Sequence, residues 1–469
     1  MASERAPGAG GERARASESV PGASERAPAP GAGEPASSAG PRGFARDVQS
    51  EVYRAGLSGI RPAVPVDFDA LERAARKAVS TEAFAYLAGG AGAEATMATN
   101  RAAFARRQIW PRVLRDVSER DLSIELLGRR RATPFVLSPI GVAEMAHPEA
   151  DVAVGRAAAA LDVPYLLSNQ ASRPMEEVAA AMGARSRWFQ LYWSASDELN
   201  ASFVRRAEAS GCEAIVVTLD THLLGWRTRD LDAAYLPFTR GQGIAQYTSD
   251  PVFAELVRQR VAAGAGGGAR LKVTPKLLAS AFSIARAGAR TPLVDGGVRA
   301  ALRSPLPRAA IETFLDVFSN PALTWDDLAK LREWTKLPVL LKGVLHPDDA
   351  AQALDHGVDG IVVSNHGGRQ IDDSVASLDA LPGVVKQVGG RVPVILDSGV
   401  RGGADAFIAL ALGATAVGIG RPYVYGLAVA GSAGVREVVR NHIAEFDLTL
   451  GLAGHRSVAE IGPGSLRAA

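Results

Sequence analysis

Eight short apolar runs punctuate the chain from about residue 130 onward, at 134–138, 164–168, 188–192, 214–219, 338–343, 359–364, 393–397 and 415–419. Each is apolar at nearly every position rather than at every second one. Ala- and Leu-rich stretches with helical character separate them. A strand that is apolar on both faces is buried on both, which is the signature of a parallel sheet covered by helices. Eight such strands alternating with helices predict an α/β fold closed as a (β/α)8 TIM barrel, with an open doubly wound sheet as the alternative.

The runs share a second regularity. Seven end in, or lead at once into, residues suited to chemistry: Ser138 to Gly141, Ser168, Gln190 and Tyr192, Thr218 and Asp220, Lys342, Ser364 to His366, and Asp397. The eighth leads into Gly420 and Arg421. Barrel active sites lie at the C-terminal ends of the strands, so these residues are expected to converge on one site.

Two segments stand outside the alternation. Residues 1–45 are almost wholly Ala, Gly, Pro, Ser, Glu and Arg, and a hexamer at 2–7 repeats at 23–28. Such a segment cannot offset its ordering entropy and is expected to be a disordered tail, leaving 46–469 as the barrel. The gap between the fourth and fifth runs is far longer than an ordinary loop, and 228–322 is expected to be a long lid insertion. Between 251 and 310 it carries ten Lys or Arg residues, opposed within that stretch only by Glu255 and Asp295. No apolar stripe is evident there. The stretch reads as a solvated, mobile lid, with contact to an anionic lipid surface or a partner as the alternative.

Composition narrows the class. The 52 Lys and Arg nearly balance the 50 Asp and Glu, and a net charge of +2 gives no argument for nucleic acid. No apolar run reaches the length of a membrane span and no signal peptide is evident, so a cytoplasmic location is expected. A single cysteine, Cys212, in an apolar stretch, fits a reducing compartment and a core position.

The sharpest motif is Ser364-Asn365-His366-Gly367-Gly368-Arg369-Gln370. A histidine just past a buried strand sits at the mouth of the site and titrates in the range a general base needs. Two glycines let the backbone approach a flat ligand, and Arg369 can grip a carboxylate with its planar fork. Glycine-rich turns at 397–403 and 417–422 follow the last two strands, where barrels bind phosphate, and each holds an arginine, Arg401 and Arg421. Lys342 ends a buried strand, a costly place unless it is paired or functional. It can hold an anionic ring or form a Schiff base. Of the other histidines, His147 and His346 read as helix-start turns, and His222 as a residue that can touch substrate. No His, Asp and Glu spacing resembles a metal site.

At these residues the chain resembles the FMN-dependent 2-hydroxy-acid oxidising family, over about residues 48–460. The resemblance implies noncovalent FMN and roles for individual positions. His366 would be the base, with Asp220 stabilising its protonated form. Arg227 and Arg369, helped by Tyr86, would bind the substrate carboxylate, and Tyr192 the substrate oxygen. Lys342 would sit beside the reduced flavin. Pro139, Ile140, Gly141, Ser168, Gln190, Thr218 and Ser364 would line the cofactor. Asp397, Gly399, Arg401, Gly420 and Arg421 would hold its ribityl phosphate end. Homotetramers or homo-octamers are common in such enzymes.

Within the family the nearest look is the lactate 2-monooxygenase group, carried by 51–59, 224–230, 235–238, 248–253 and 419–423. That group takes a small L-2-hydroxy acid and O2, and retains the keto acid until it is decarboxylated. An oxidase or dehydrogenase of the same family is the alternative. Gly141 leaves room beside the flavin where oxidases often carry alanine. Gln170 departs from the aromatic residue of several relatives.

Overall fold

The computed structural model describes residues 43–264 and 274–468. Eight parallel strands close into a barrel: β1 Phe135–Leu137, β2 Tyr165–Leu167, β3 Arg187–Tyr192, β4 Ile215–Thr218, β5 Val339–Lys342, β6 Gly360–Val363, β7 Val394–Leu396 and β8 Ala416–Ile419. β8 pairs with β1, Val417 opposite Phe135, which completes the ring. Seven strands fall inside one of the eight apolar runs, and β3 starts one residue before its run, at Arg187. Prolines open the runs of β1, β2, β5 and β7. They lack an N–H, yet the carbonyls of Pro134, Pro164, Pro338 and Pro393 accept ladder bonds from Val417, Leu137, Ile215 and Ile361.

Side chains alternate between the two faces of each strand. Phe135, Leu137, Leu167, Phe189, Ile215, Val217, Leu341, Val363 and Val417 join the large core beneath the surrounding helices. The complementary set, Val136, Leu166, Trp188, Val216, Leu340, Val362, Ile395 and Ala416, forms a separate buried layer inside the barrel, one residue per strand. Leu126 belongs to that inner layer too. It comes from a hairpin, Ile124–Leu126 with Arg129–Arg131, that closes the bottom.

Helices before the barrel frame its upper face. Phe44–Leu57 packs on the final long helix, where the Ala45 N–H donates to Asp447 Oδ2 at 2.9 Å. Helical order therefore begins at Phe44, two residues inside the expected tail. The rest of that tail, through residue 42, lies outside the described residues. Thr81–Ala88 and Ala95–Ala105 follow and reach the site described below.

The insertion differs from the solvated loop its composition suggests. It is helical, with Pro251–Ala262, Pro275–Gly288, Gly297–Arg303 and Leu306–Val317 as its main segments. Leu306–Val317 buries a continuous face of Ala309, Ala310, Ile311, Thr313 and Phe314. Phe314 contacts Phe238 and Tyr247, ring centroids 5.1 and 4.8 Å apart, and Tyr247 packs 4.9 Å from Phe203 on a barrel helix. Aromatic residues spaced over nearly 80 positions make that core, so no local periodicity reveals it. The basic stretch is also less unopposed than its sequence window suggests. Arg260 pairs with Glu312 and Asp316, and Arg308 with Glu312 at 2.8 Å. Arg270 and Lys272 lie outside the described residues. Among the described residues no helix is long and apolar enough to cross a membrane.

Candidate active site

The strand period of two builds the floor of the site. Two residues above the inner apolar layer come Ser138, Ser168, Gln190, Thr218, Lys342, Ser364, Asp397 and Gly418, again one per strand. Their side chains form two hydrogen-bonded groups. Ser168 Oγ donates to Gln190 Oε1 at 2.9 Å, and Gln190 Nε2 to Thr218 Oγ1 at 2.8 Å. Lys342 Nζ donates to Ser364 Oγ at 3.0 Å, and Asp397 accepts from Ser364 and Ser138, each at 3.1 Å. The Lys342 ammonium also lies 3.5 Å from Asp220 Oδ2 and 3.6 Å from Asp397 Oδ2. A lysine held between two carboxylates is engaged as a cation and not offered as a nucleophile, which fits the charge-bearing reading and not the Schiff base.

Gly418 completes the ring by having no side chain. A Cβ there would overlap Ser138 Oγ and stand 3.4 Å from the Asp397 side chain. Gly418→Ala is expected to turn Ser138 away from Asp397, an overpacking cost of about 1–3 kcal/mol, and to weaken cofactor retention by roughly 5- to 150-fold. Absorbance retained after gel filtration of the folded variant checks this.

Above the floor a pocket opens to solvent. Its wall includes Tyr86, Pro139, Ile140, Gly141, Tyr192, Arg227, Lys342, His366, Arg369, Asp397, Gly399, Arg401, Gly420 and Arg421. Fourteen expected positions, from seven strand ends and the helix at 81–88, thus meet in one cavity. Ser168, Gln190, Thr218, Asp220 and Ser364 stand behind this wall, held by the bonds above and below. The resemblance implies that Asp397 helps to hold the ribityl phosphate end. The structure puts its carboxylate on the floor, facing hydroxyls and an ammonium, where it suits a hydroxyl donor and would repel a phosphate. His222 is exposed and absent from this wall. His346 caps a helix, its Nδ1 accepting from the Asp348 N–H at 3.1 Å.

His366 is the pivot. It has a left-handed backbone, φ 58°, and Gly367 and Gly368 continue in that region at 66° and 74°. Its Nδ1 lies 2.7 Å from Asp220 Oδ1 and 3.2 Å from Thr221 Oγ1, which leaves Nε2 as the ring nitrogen free of these bonds. Burial lowers the imidazole below its ordinary 6.5, with Asp220 opposing and Lys342 assisting. Burial would raise the Asp220 carboxyl. The charges of His366 and Lys342, with hydrogen bonds from His366 and Thr221, outweigh that and hold it well below the usual range. The pair is therefore neutral imidazole beside carboxylate at neutral pH, the resting state of a general base. Thr221 escaped the sequence reading, although it directly follows Asp220.

Four arginines, Arg227 and Arg421 buried and Arg369 and Arg401 half-buried, give the pocket its electrostatic character. Arg369 stacks on Tyr86, 5.0 Å from the ring centroid, and donates to the carbonyls of Tyr86 and Gly89 at 2.6 and 2.7 Å. Arg227 lies 5.9 Å from the same ring and donates to the Arg369 carbonyl and Gln370 Oε1. Neither forms an ion pair among the described residues, and Asp230 acts on both only at longer range. Burial, then the charge of Arg227, pushes Arg369 down to about 9. The second pair, Arg401 and Arg421, is also without a carboxylate, and Arg421 Nε is buried with no hydrogen-bond partner. Burial followed by the charge of Arg421 pushes Arg401 down to about 10. Uncompensated buried cations are costly, and an anion at each end would relieve them.

These features fit FMN. Arg401 and Arg421 flank Gly399, Gly420 and the N-terminus of the helix Arg421–Leu452, a setting for a phosphate. The amide, hydroxyl and ammonium groups of the floor suit the polar edge of a flat ring and a ribityl chain. The other arginine pair, next to His366, remains for a second anion. Tyr192 faces the same space, and burial, then Asp220 and Tyr86, raises its phenol far enough to keep it a hydrogen-bond donor. Leu224, and Phe238 and Phe318 from the insertion, complete the wall; the first two fall in the stretches 224–230 and 235–238 that carry the resemblance, whereas no sequence signal pointed to Phe318.

A parallel barrel with a neutral buried base, a phosphate cradle and a second anion site defines a flavin-type oxidoreductase. Comparison with known proteins refines that class. The sequence model of the family described as FMN-dependent dehydrogenase matches residues 75–468. The chain is 40% identical over 398 residues to an L-lactate oxidase of Lysinibacillus sphaericus, covering 84% of this chain and 90% of that one. It is 38% identical over 420 residues to an FMN-dependent alpha-hydroxy acid dehydrogenase of Penicillium citrinum, covering 89% and 95%. Among solved structures, a mandelate oxidase with (S)-4-hydroxymandelic acid superposes with a TM-score of 0.69 at 35% identity, covering 86% and 99%. The chain belongs to the FMN-dependent 2-hydroxy-acid oxidoreductases.

Proposed function

We propose that this site oxidises a small L-2-hydroxy acid, with L-lactate as reference substrate, and carries it to acetate, carbon dioxide and water with consumption of O2. The observation that carries the first part is the His366–Asp220 pair, 2.7 Å apart, facing Arg227 and Arg369, which form no ion pair with a carboxylate among the described residues. Arg227 and Arg369 hold the substrate carboxylate and so fix which face of the α-carbon is presented. Tyr192 donates to the substrate oxygen, and Tyr86 supports the arginines. His366 Nε2 takes the proton released as the hydroxyl becomes a carbonyl, and Asp220 stabilises the imidazolium that forms. When bound here, FMN would supply the acceptor for the two electrons, with O2 as its oxidant. Lys342 supplies positive charge on the floor, and Arg401 and Arg421 hold the phosphate.

The second part rests on the insertion. Phe238 and Phe318 wall the pocket and are tied to the packed aromatic core of the insertion through Phe314, which favours retention of the keto acid. The alternative, release of pyruvate with hydrogen peroxide, draws support from the 40% identical relative named L-lactate oxidase. Product analysis after aerobic turnover of L-lactate decides. Acetate and carbon dioxide establish retention, and stoichiometric pyruvate and peroxide establish release.

A pH dependence follows with a definite sign. The free enzyme needs neutral His366, and burial lowers its pKa, so kcat/KM should hold at pH 7 and fall on the acid side with an apparent pKa below 6.5. A limb centred above 7 would contradict the neutral resting base.

A further inference from the structure

The helix Ala95–Ala105 lies outside the barrel, yet it buries two polar side chains, Thr96 and Asn100, on the face that also carries Ala103 and Phe104. Asn100 is 3% exposed and Asn365 6%. Their amides bond reciprocally: Asn100 Nδ2 donates to Asn365 Oδ1 at 2.9 Å, and Asn365 Nδ2 to Asn100 Oδ1 at 2.8 Å. Three further bonds anchor the pair. Asn100 Oδ1 accepts from the Ser377 N–H at 3.2 Å, Asn365 Oδ1 from the Gly368 N–H at 3.2 Å, and Asn365 Nδ2 also donates to the Val375 carbonyl at 3.1 Å. Asn365 immediately precedes His366, whose left-handed backbone is an unfavourable conformation that surrounding contacts must enforce.

The same residue touches the other end of the site. Gly399 has φ 86°, and a Cβ there would lie 3.1 Å from Asn100 Cβ and 3.2 Å from the Asn100 carbonyl oxygen. The neighbouring Arg101 donates to the Gly399 carbonyl at 2.5 Å and pairs with Asp405 at 2.6 Å. One buried asparagine thus backs both the turn that carries the base and the turn at the phosphate end.

We propose that Asn100 is a positioning residue: its amide locks the helix Ala95–Ala105 to the His366 turn, and its Cβ and carbonyl back the Gly399 turn, so that releasing the amide loosens the helix and disturbs both base placement and cofactor affinity. The inference rests on the roles given above to His366 and to the Arg401 end. A buried hydrogen-bonding group left without its partner costs enough to change an equilibrium by about tenfold or more. Removing the Asn100 amide strands the Ser377 N–H and frees the Asn365 side chain to turn.

The test compares Asn100→Ala, Asn100→Asp and Thr99→Ala. The last removes only a hydroxyl bonded within the same helix, to the Ala95 carbonyl. FMN affinity is read by fluorescence titration of apoprotein, and kcat and KM for L-lactate are read at saturating FMN. Asn100→Ala is expected to raise the FMN Kd about tenfold or more and to lower kcat by a similar factor even with FMN saturating, with KM changed less than about threefold. Thr99→Ala should change neither. If only Kd moves and excess FMN restores kcat, or if kcat falls with Kd unchanged, the coupling is refuted. If Asn100→Ala does not fold, Asn100→Asp, which keeps the acceptor and loses the donated bond, is judged by the same two readouts. His366→Ala assayed alongside separates the claims, because full activity there would sink the base assignment whatever Asn100 does.

Discussion

His366→Ala is expected to lower kcat/KM for L-lactate by about 10²- to 10⁴-fold while the protein stays folded and yellow. The imidazole is the group in the pocket wall with a free basic nitrogen, and Asp220 at 2.7 Å is positioned to stabilise its protonated form. Asp220 stands behind the wall and cannot reach the substrate in its place. Alanine keeps a Cβ and so gives the left-handed position no relief, and Gly367 and Gly368 should keep the turn. The loss should therefore appear in the rate of cofactor reduction and much less in FMN binding. Imidazole added to the variant is expected to restore part of that rate. A variant that reduced its cofactor at the parent rate would show that the proton goes elsewhere.

Arg369→Leu is expected to cost nearly as much, through substrate binding. A buried cation that meets a carboxylate is worth about 2–5 kcal/mol on truncation, which is thirtyfold or more in kcat/KM. The loss should be larger for L-lactate than for its neutral methyl ester, because only the acid supplies the charge that Arg369 lacks. Lysine is not expected to rescue, since a point charge can neither stack on Tyr86 nor serve both carbonyls and a carboxylate. An equal loss on acid and ester would mean that Arg369 supports Tyr86 and the 86–89 turn and does not bind the carboxylate.

The barrel was legible in the sequence because its strands are short, apolar on both faces and uniformly followed by polar residues. That same regularity exposed the floor of the site: Lys342 and Ser364 stand two residues beyond Leu340 and Val362, so the strand period alone turns an apolar layer into a polar one. His366 and Arg369 were legible for another reason, as their spacing after a strand is local. Contacts that span the chain were not. Asn100 meets Asn365 across 265 positions. Phe238 and Phe318 reach the pocket only because Phe314 and Tyr247 pack the insertion into a layer, and the charge count in that region hid the fact. Arg260 looked unopposed because its partners, Glu312 and Asp316, lie just beyond the basic window. A glycine-rich turn signals phosphate without saying which of its residues reaches it, and the Asp397 carboxylate faces the floor.

The most direct test is anaerobic mixing of the FMN-loaded protein with L-lactate and, separately, D-lactate, following flavin absorbance near 450 nm. The account predicts rapid bleaching by the L-acid, with none by the D-acid on the same timescale. Failure of L-lactate and of longer L-2-hydroxy acids alike to bleach the flavin would contradict the assignment of this pocket to 2-hydroxy-acid oxidation.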